Sequence, residues 1–337
     1  MLAVAGSGKT TSIVRRLRDG RPSLVITYTE NNLANLRRKI IKEFGVFPKH
    51  VTLSSYFTFL YSFCFRPFLW RDTRPRGMRW GMPPQWTRTK RRDNRLYYFD
   101  EKRRVYHNRL AKLLEMENVL GQVQARIEKY FDALLIDEVQ DFAGHDFNLL
   151  SQLASSHVDM CLVGDFFQHT YDTSRDGNVN KNLHQSLDAF VTRLERIGFS
   201  VDKQTLERSY RCSPTLCSFV KDNLGIVMTS HRKNATDIRW VTCQEEATRI
   251  QDANEVVKLF YQSHQKYRCR SCNWGASKGD DYQDIAVALN TATLRKLEKG
   301  KGHELKPQTR NKLYVACTRA WNSVYLIPER LMTSHAN

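Results

Sequence analysis

The stretch MLAVAGSGKTTSIVRRL opens the chain, and it constrains the fold more than any other feature. Ala3-Val4-Ala5-Gly6-Ser7-Gly8-Lys9-Thr10 has Walker A spacing, with Ala3 where glycine is more common. Gly6 and Gly8 let backbone N–H groups close on phosphate oxygens, Lys9 brings a cation to the β and γ phosphates, and Thr10 offers a hydroxyl to Mg2+. Ser7 and Thr11 belong to the same cradle. Such a loop joins a strand to a helix, so it predicts an α/β fold. The plainer alternative is a glycine-rich turn capping an ordinary helix, and the rest of the chain has to decide.

SLVITYTENNLANLRRKIIKEFG reads as a buried strand running into a helix, with Leu33, Leu36, Ile40, Ile41 and Phe44 at helical spacing and Gly45 as the stop. Short apolar strands follow: ALLID ending at Asp137, MCLVGD ending at Asp165, IAVAL at 285–289 and SVYLI at 323–327. They alternate with helical stretches, the pattern of parallel sheets covered on both faces.

At 337 residues and 41% hydrophobic content, the chain has enough apolar surface for two packed domains. No run is long and apolar enough to span a membrane, and a phosphate loop stands where a secretory signal would be, so a cytoplasmic location is expected. Fifty-three Lys and Arg against 35 Asp and Glu leave a net charge of +18, which favours a polyanionic partner such as nucleic acid. Between Arg66 and Arg104 there are thirteen Lys or Arg against four Asp or Glu, with Trp70, Trp80 and Trp86 interspersed. Basic side chains interleaved with aromatics hold phosphates and stack bases, and Arg88, Lys90, Arg91 and Arg92 are the densest run. With neither helical nor strand periodicity there, a solvated insertion is the alternative. Of the eight cysteines only Cys269 and Cys272 form a CxxC pair; even with His264 and Cys243, no second pair completes a zinc site.

LLIDEVQDF, residues 134–142, delivers two adjacent carboxylates at the carboxyl end of an apolar strand. The carboxyl ends of parallel strands face the ligand crevice, so Asp137 is placed to hold the metal of MgATP and Glu138 to polarise the attacking water. VGDFFQHTYDT follows on the next strand and brings Asp165 and Gln168 beside Asp137, with Gln168 as a sensor of the γ phosphate.

Taken in order, AGSGKTT, IDEVQD, GDFFQ, RSYR, ASKGDDYQDI and YVACTRA resemble motifs I to VI of superfamily 1 helicases of the UvrD, Rep and PcrA kind, over nearly the whole chain. The resemblance implies two RecA-like P-loop domains with parallel sheets and ATP bound in the cleft between them, translocation on single-stranded DNA and, often, duplex unwinding. It casts Arg211 and Arg319 as arginines offered to the γ phosphate, a role that suits planar guanidinium groups. Tyr210 resembles the tyrosine that stacks on adenine, Asp281 stands where the family has Glu near the ribose, and Lys278 and Gly279 belong to the same nucleotide-facing motif. Thr27, Tyr28, Thr29, Ser54 and Ser55 resemble the two short motifs that touch the DNA backbone.

The departures are specific. The glutamine-bearing motif that reads adenine ahead of the phosphate loop has no room here, so the expectation is a start that lies upstream or a trimmed chain. After Gln168, Thr173 stands before Arg175 where the family places a stacking aromatic. The interval from Arg211 to Ser277 is too short for the second-domain insertion. The expected organisation is a first RecA-like domain over 1–195 with a basic insertion at about 66–130, and a second over 196–337. The expected function is a DNA-dependent ATPase, a single-stranded DNA translocase or helicase using ATP and Mg2+, with single-stranded or tailed duplex DNA as partner. The alternative is an ATP-controlled DNA-binding subunit that acts with a partner nuclease.

Overall fold

The computed structural model describes residues 1–170 and 177–334, and these divide by contacts into two units, each built around its own parallel sheet. The expectations on Thr173 and Arg175 lie outside the described residues. One unit comprises the described residues of Thr10–Gly164 and Asp172–Val201 and holds a four-stranded sheet. The other comprises the described residues of Met1–Lys9, Asp165–Tyr171 and Asp202–Asn337 and holds a five-stranded sheet. No described helix is long and apolar enough to cross a membrane.

In the four-stranded unit the order is Val51–Ser55, Ser23–Thr27, Ala133–Asp137, Asp159–Val163, with every pairing parallel. The two inner strands are buried at every position, which is why SLVIT and ALLID read as unbroken apolar runs and do not alternate. The helix Glu30–Phe44 follows the first of them, its amino end capped by Thr29 Oγ1 accepting from Asn32 N at 3.2 Å. Gly45 closes it with φ +78°, as the sequence pattern implies. Leu36 and Ile40 face the core, whereas Ile41 turns to solvent. The strand expected to end at Asp165 stops at Val163. A Cβ at Gly164 would meet Gln140 Oε1 at 2.4 Å and Val139 Cγ1 at 2.8 Å, so only glycine lets the chain leave the sheet past the acidic turn.

The basic stretch is more ordered than its missing periodicity implies. It carries short helices at Arg66–Thr73 and Arg95–Tyr98, a 3₁₀ turn at Gln85–Thr89, and a two-stranded parallel pairing of Met78–Arg79 with Val105–Tyr106. Elements this short show no detectable period, and tertiary contacts hold them instead. Arg109 is almost wholly buried with its guanidinium 3.9 Å from the centre of the Tyr97 ring, and its Nη1 donates to Thr87 Oγ1 at 2.9 Å.

The five-stranded sheet runs Ser271–Asn273, Val256–Phe260, Asp284–Leu289, Val324–Pro328, Ile238–Trp240, again all parallel. The α/β class with parallel sheets is therefore the one the chain adopts. Val256–Phe260 is buried at every position and Asp284–Leu289 at all but its first, and the helix Pro307–Cys317 packs against the same apolar core. All eight cysteines are free thiols; Cys64, Cys161, Cys212, Cys217 and Cys317 are buried.

Candidate nucleotide site and nucleic-acid face

The phosphate loop is built against residues some two hundred positions away. In the five-stranded unit Ala3 bridges Leu206 in parallel, Val4 N donates to Leu206 O at 3.0 Å, and Tyr210 N donates to Gly6 O at 2.9 Å. Gly6 and Gly8 both take positive φ, +72° and +91°, which glycine alone adopts at little cost. A Cβ on Gly6 would lie 2.7 Å from Ser209 Oγ and 2.8 Å from Arg211 Cβ. Gly6 is thus required twice, by its backbone angle and by the close approach of Arg211. The Ser7 hydroxyl is buried with no hydrogen-bond partner, an orphaned polar atom in the loop meant to hold phosphate.

Tyr210 is 57% exposed and stacks on His231 with ring centres 4.0 Å apart at 12°. It passes within 3.8 Å of the position a Gly8 Cβ would occupy, so the tyrosine expected to stack on adenine stands beside the loop. His231 is a support the sequence did not reveal.

Arg211 and Arg319 are both buried in this unit. Arg211 Nη1 is ion-paired with Asp281 Oδ1, while its Nε is buried without a partner. Arg319 donates through Nε to Val315 O at 2.9 Å and through Nη1 to Asp280 O at 3.3 Å. Burial pushes the Arg319 guanidinium down to about 10; the neighbouring Arg211 cation pushes the same way and Asp281 opposes it. Two adjacent cations, an unpartnered donor and an orphaned loop hydroxyl fit a polyphosphate, so the residues present suit the nucleotide. Lys278 is buried nearby in sequence to Gly279, whose φ of +93° turns the chain toward Asp281.

The acidic turn lies in the four-stranded unit. Asp137 closes its strand, and its Oδ1 accepts from Glu138 N at 3.0 Å. Glu138 adopts φ +60°, a left-handed conformation that costs a non-glycine residue roughly 1–2 kcal/mol. Its carboxylate is held by Asn32 Nδ2 at 3.4 Å and by Gln140 Nε2 at 2.5 Å. Strain of this kind persists where neighbours over-determine it, and here two amide donors aim one buried carboxylate. Asn32 and Gln140 were not singled out from sequence; for Gln140 the signal was its place inside DEVQD. Thr10 and Asp137, one at the start of the helix Lys9–Arg16 and one at a strand end, are oxygen donors of the type that suits Mg2+. Thr11 is exposed.

Gln168 and Asp165 belong with the five-stranded unit, where Gln168 Nε2 donates to Asp165 Oδ2 at 2.9 Å. Asp165 is fully buried and also caps the 3₁₀ turn Phe166–Gln168, accepting from Phe167 N at 3.1 Å.

The residues matched to DNA-backbone motifs are less open. Thr27, Tyr28 and Ser55 are buried and Thr29 and Ser54 half-buried; Thr29 caps a helix and Ser55 Oγ bonds Thr58 Oγ1 at 2.9 Å. Tyr28 joins a ring cluster with Tyr56, Phe57 and Phe142. That cluster leads outward, since Phe57 meets Trp80 edge-on at 5.1 Å and Trp80 is 60% exposed. Arg88, Lys90, Arg91 and Arg92 are all exposed, with Lys90 over the Trp86 ring at 5.9 Å and Arg91 paired with Asp93 at 2.8 Å.

Residues 88–186 match the family model of the UvrD/REP helicase N-terminal domain. Among solved structures, the chain is similar to the arterivirus nonstructural protein 10 helicase in complex with DNA, at 14% identity and a TM-score of 0.52. That match covers 97% of this chain and 59% of the other. It is also similar to the PRRSV helicase, at 13% identity and a TM-score of 0.49, over 100% of this chain and 54% of that one. The chain therefore spans less than two thirds of the length of either. A search of curated protein sequences found no match. A segment that matches the UvrD/REP helicase N-terminal model thus lies within a fold similar to that of a solved helicase.

Proposed function

We propose that the chain is a nucleic-acid-dependent ATPase, a single-stranded DNA translocase or helicase, with the two sheets as two RecA-like domains over 1–195 and 196–337. The observation that supports this reading is Arg211 packed against Gly6: its Cβ would lie 2.8 Å from a Cβ on the loop glycine, and its buried guanidinium keeps an unpartnered Nε. In the reaction, Gly6, Ser7, Gly8, Lys9 and Thr11 hold the phosphates of ATP, and Thr10 and Asp137 hold Mg2+, which neutralises phosphate charge. Glu138, aimed by Asn32 and Gln140, accepts a proton from the attacking water. Arg211 and Arg319 stabilise the charge that develops on the γ phosphate, and Gln168 reports its presence. Tyr210 stacks on the base, and Lys278, Gly279 and Asp281 line the sugar side.

DNA as the polyanion is supported by the net charge of +18, by the exposed Arg88–Arg92 run beside Trp86, and by the neighbour solved with DNA. Thr27, Tyr28, Thr29, Ser54 and Ser55 would contribute backbone and aromatic edges near that strand. ATP turnover measured with and without single-stranded DNA tests the reading. Stimulation by single-stranded DNA supports it, and absence of magnesium-dependent turnover under both conditions removes it.

A further inference from the structure

We infer that Tyr314 is a positioning residue that keeps Gln168 in register with the entry of the phosphate loop; the inference rests on the ATPase reading above. Tyr314 lies on the helix Pro307–Cys317 with its side chain wholly buried. Its phenol oxygen accepts from Ala5 N at 2.8 Å, and the same hydroxyl donates to Asp165 Oδ2 at 3.0 Å. A backbone N–H can only donate, so it takes a lone pair of the phenol and leaves the phenol hydrogen for the carboxylate. The direction of the path is fixed: Ala5 N–H to Tyr314 O–H to Asp165, with Gln168 Nε2 donating to that same Oδ2 at 2.9 Å.

Three consequences follow from this direction. Asp165 receives donors from Tyr314, Gln168 and Phe167 N, which together hold the carboxylate in one orientation. The Gln168 amide is oriented with its nitrogen toward Asp165, so its carbonyl oxygen is directed away from that carboxylate. The residue immediately before Gly6 is tied to that orientation, so a movement of the loop entry on phosphate binding is passed to the Gln168 amide. Burial and the nearby Asp165 raise the Tyr314 hydroxyl well above its ordinary value, so the phenol keeps its proton at any working pH. The turn that carries Gln168 is also docked on the Tyr314 helix: Asn311 Nδ2 donates to His169 O at 3.0 Å, and the Arg310 guanidinium lies 5.5 Å from the centre of the Phe167 ring.

The test uses the full chain and the variants Tyr314→Phe, Gln168→Ala and both together, with thermal melts to confirm folding. Tyr314→Phe is expected to lower kcat by ~10- to 100-fold, the range for outer-shell partners, with KM for ATP and affinity for a fluorescent ADP analogue within about 2-fold. On the Gln168→Ala background it is expected to cause no further loss, because the two act along one path. Should Tyr314→Phe not fold, Asp165→Asn keeps the side-chain shape while turning an acceptor into a donor, and is expected to show the same selective kcat loss and the same non-additivity. Unchanged turnover in the folded variant, parallel loss of ADP affinity, or a full multiplicative drop in the double variant overturns the role of Tyr314 alone. No turnover in the unsubstituted chain overturns the ATPase reading and this inference with it.

Discussion

The Arg211 guanidinium is ion-paired with Asp281, seventy residues further along the chain, while Arg319 lies close enough to feel the Arg211 charge. A carboxylate thus balances part of a cationic pair whose remaining donors include a buried Nε with no partner. On the proposed ATPase reading, an incoming polyphosphate would complete the pair.

Arg319→Lys is expected to fail as badly as Arg319→Ala. Burial, helped by Arg211, lowers the arginine from its ordinary value to about 10. The same surroundings would push a lysine down as well, and it lacks the planar fork that meets two phosphate oxygens. Turnover should fall about 10³-fold in both variants and in Arg211→Ala, with melting temperatures little changed in the last. Near-normal turnover in Arg319→Lys would show that the guanidinium fork has no part in the reaction.

Lys9→Ala and Glu138→Gln should separate binding from chemistry. The first removes a charge contact to phosphate and is expected to abolish tight ATP binding. The second keeps the shape held by Asn32 and Gln140 but cannot take a proton, so ATP binds and turnover stops. Equilibrium binding of a fluorescent nucleotide beside steady-state turnover distinguishes them, and equal loss of binding in both would defeat the assignment of Glu138.

Gly6→Ala is expected to damage two places at once. Its φ of +72° disfavours a side chain, and the new Cβ would strike Ser209 Oγ and Arg211 Cβ. Turnover should fall by about 10-fold or more, corresponding to ~1.4 kcal/mol or more of barrier. Gly20→Ala, at a similar φ of +77° with nothing within 4 Å of its Cβ, isolates the backbone cost in a separate measurement. An equal drop in melting temperature in the two variants would mean that the contact with Arg211 carries no weight.

Salt dependence measures the basic face. Neutralising Arg88, Lys90, Arg91 and Arg92 together should reduce the slope of log K against log salt for single-stranded DNA by at most about 2.8, or roughly 0.7 per phosphate contact. The reduction should fall short of that limit, because Arg91 already has Asp93 as a partner. Fluorescence anisotropy over a salt series reads the slope directly; an unchanged slope would place the DNA on another surface.

His107 should make stability depend on pH on the acid side. Burial holds its imidazole below the ordinary value of 6.5, against a hydrogen bond with Arg79 O that raises it. As pH falls through 6.5 the unfolded chain takes up a proton that the folded chain resists, so stability declines through that window and levels off below the folded value. In His107→Gln the drop in melting temperature between about pH 7.5 and 5.5 should be smaller than in the unsubstituted chain. An identical drop would mean that other groups govern this range.

Elements whose information is local are legible in the amino-acid sequence. Unbroken apolar runs such as ALLID mark strands buried on both faces, helical spacing from Leu33 to Ile40 and the stop at Gly45 mark the helix, and six short motifs in order mark the family resemblance. Acidic residues at the end of a strand are legible because parallel strands present their carboxyl ends to ligands. Features that depend on distant partners emerge from packing. Gly6 is confined by Ser209 and Arg211, Ala5 is tied to Tyr314 across 309 residues, and Asp281 pairs with Arg211. The basic insertion folds through buried contacts such as Arg109 on Tyr97 and not through any repeating pattern. Such contacts have no period along the chain: a single hydrogen bond or close approach between remote residues leaves no trace in local spacing until packing brings the two together.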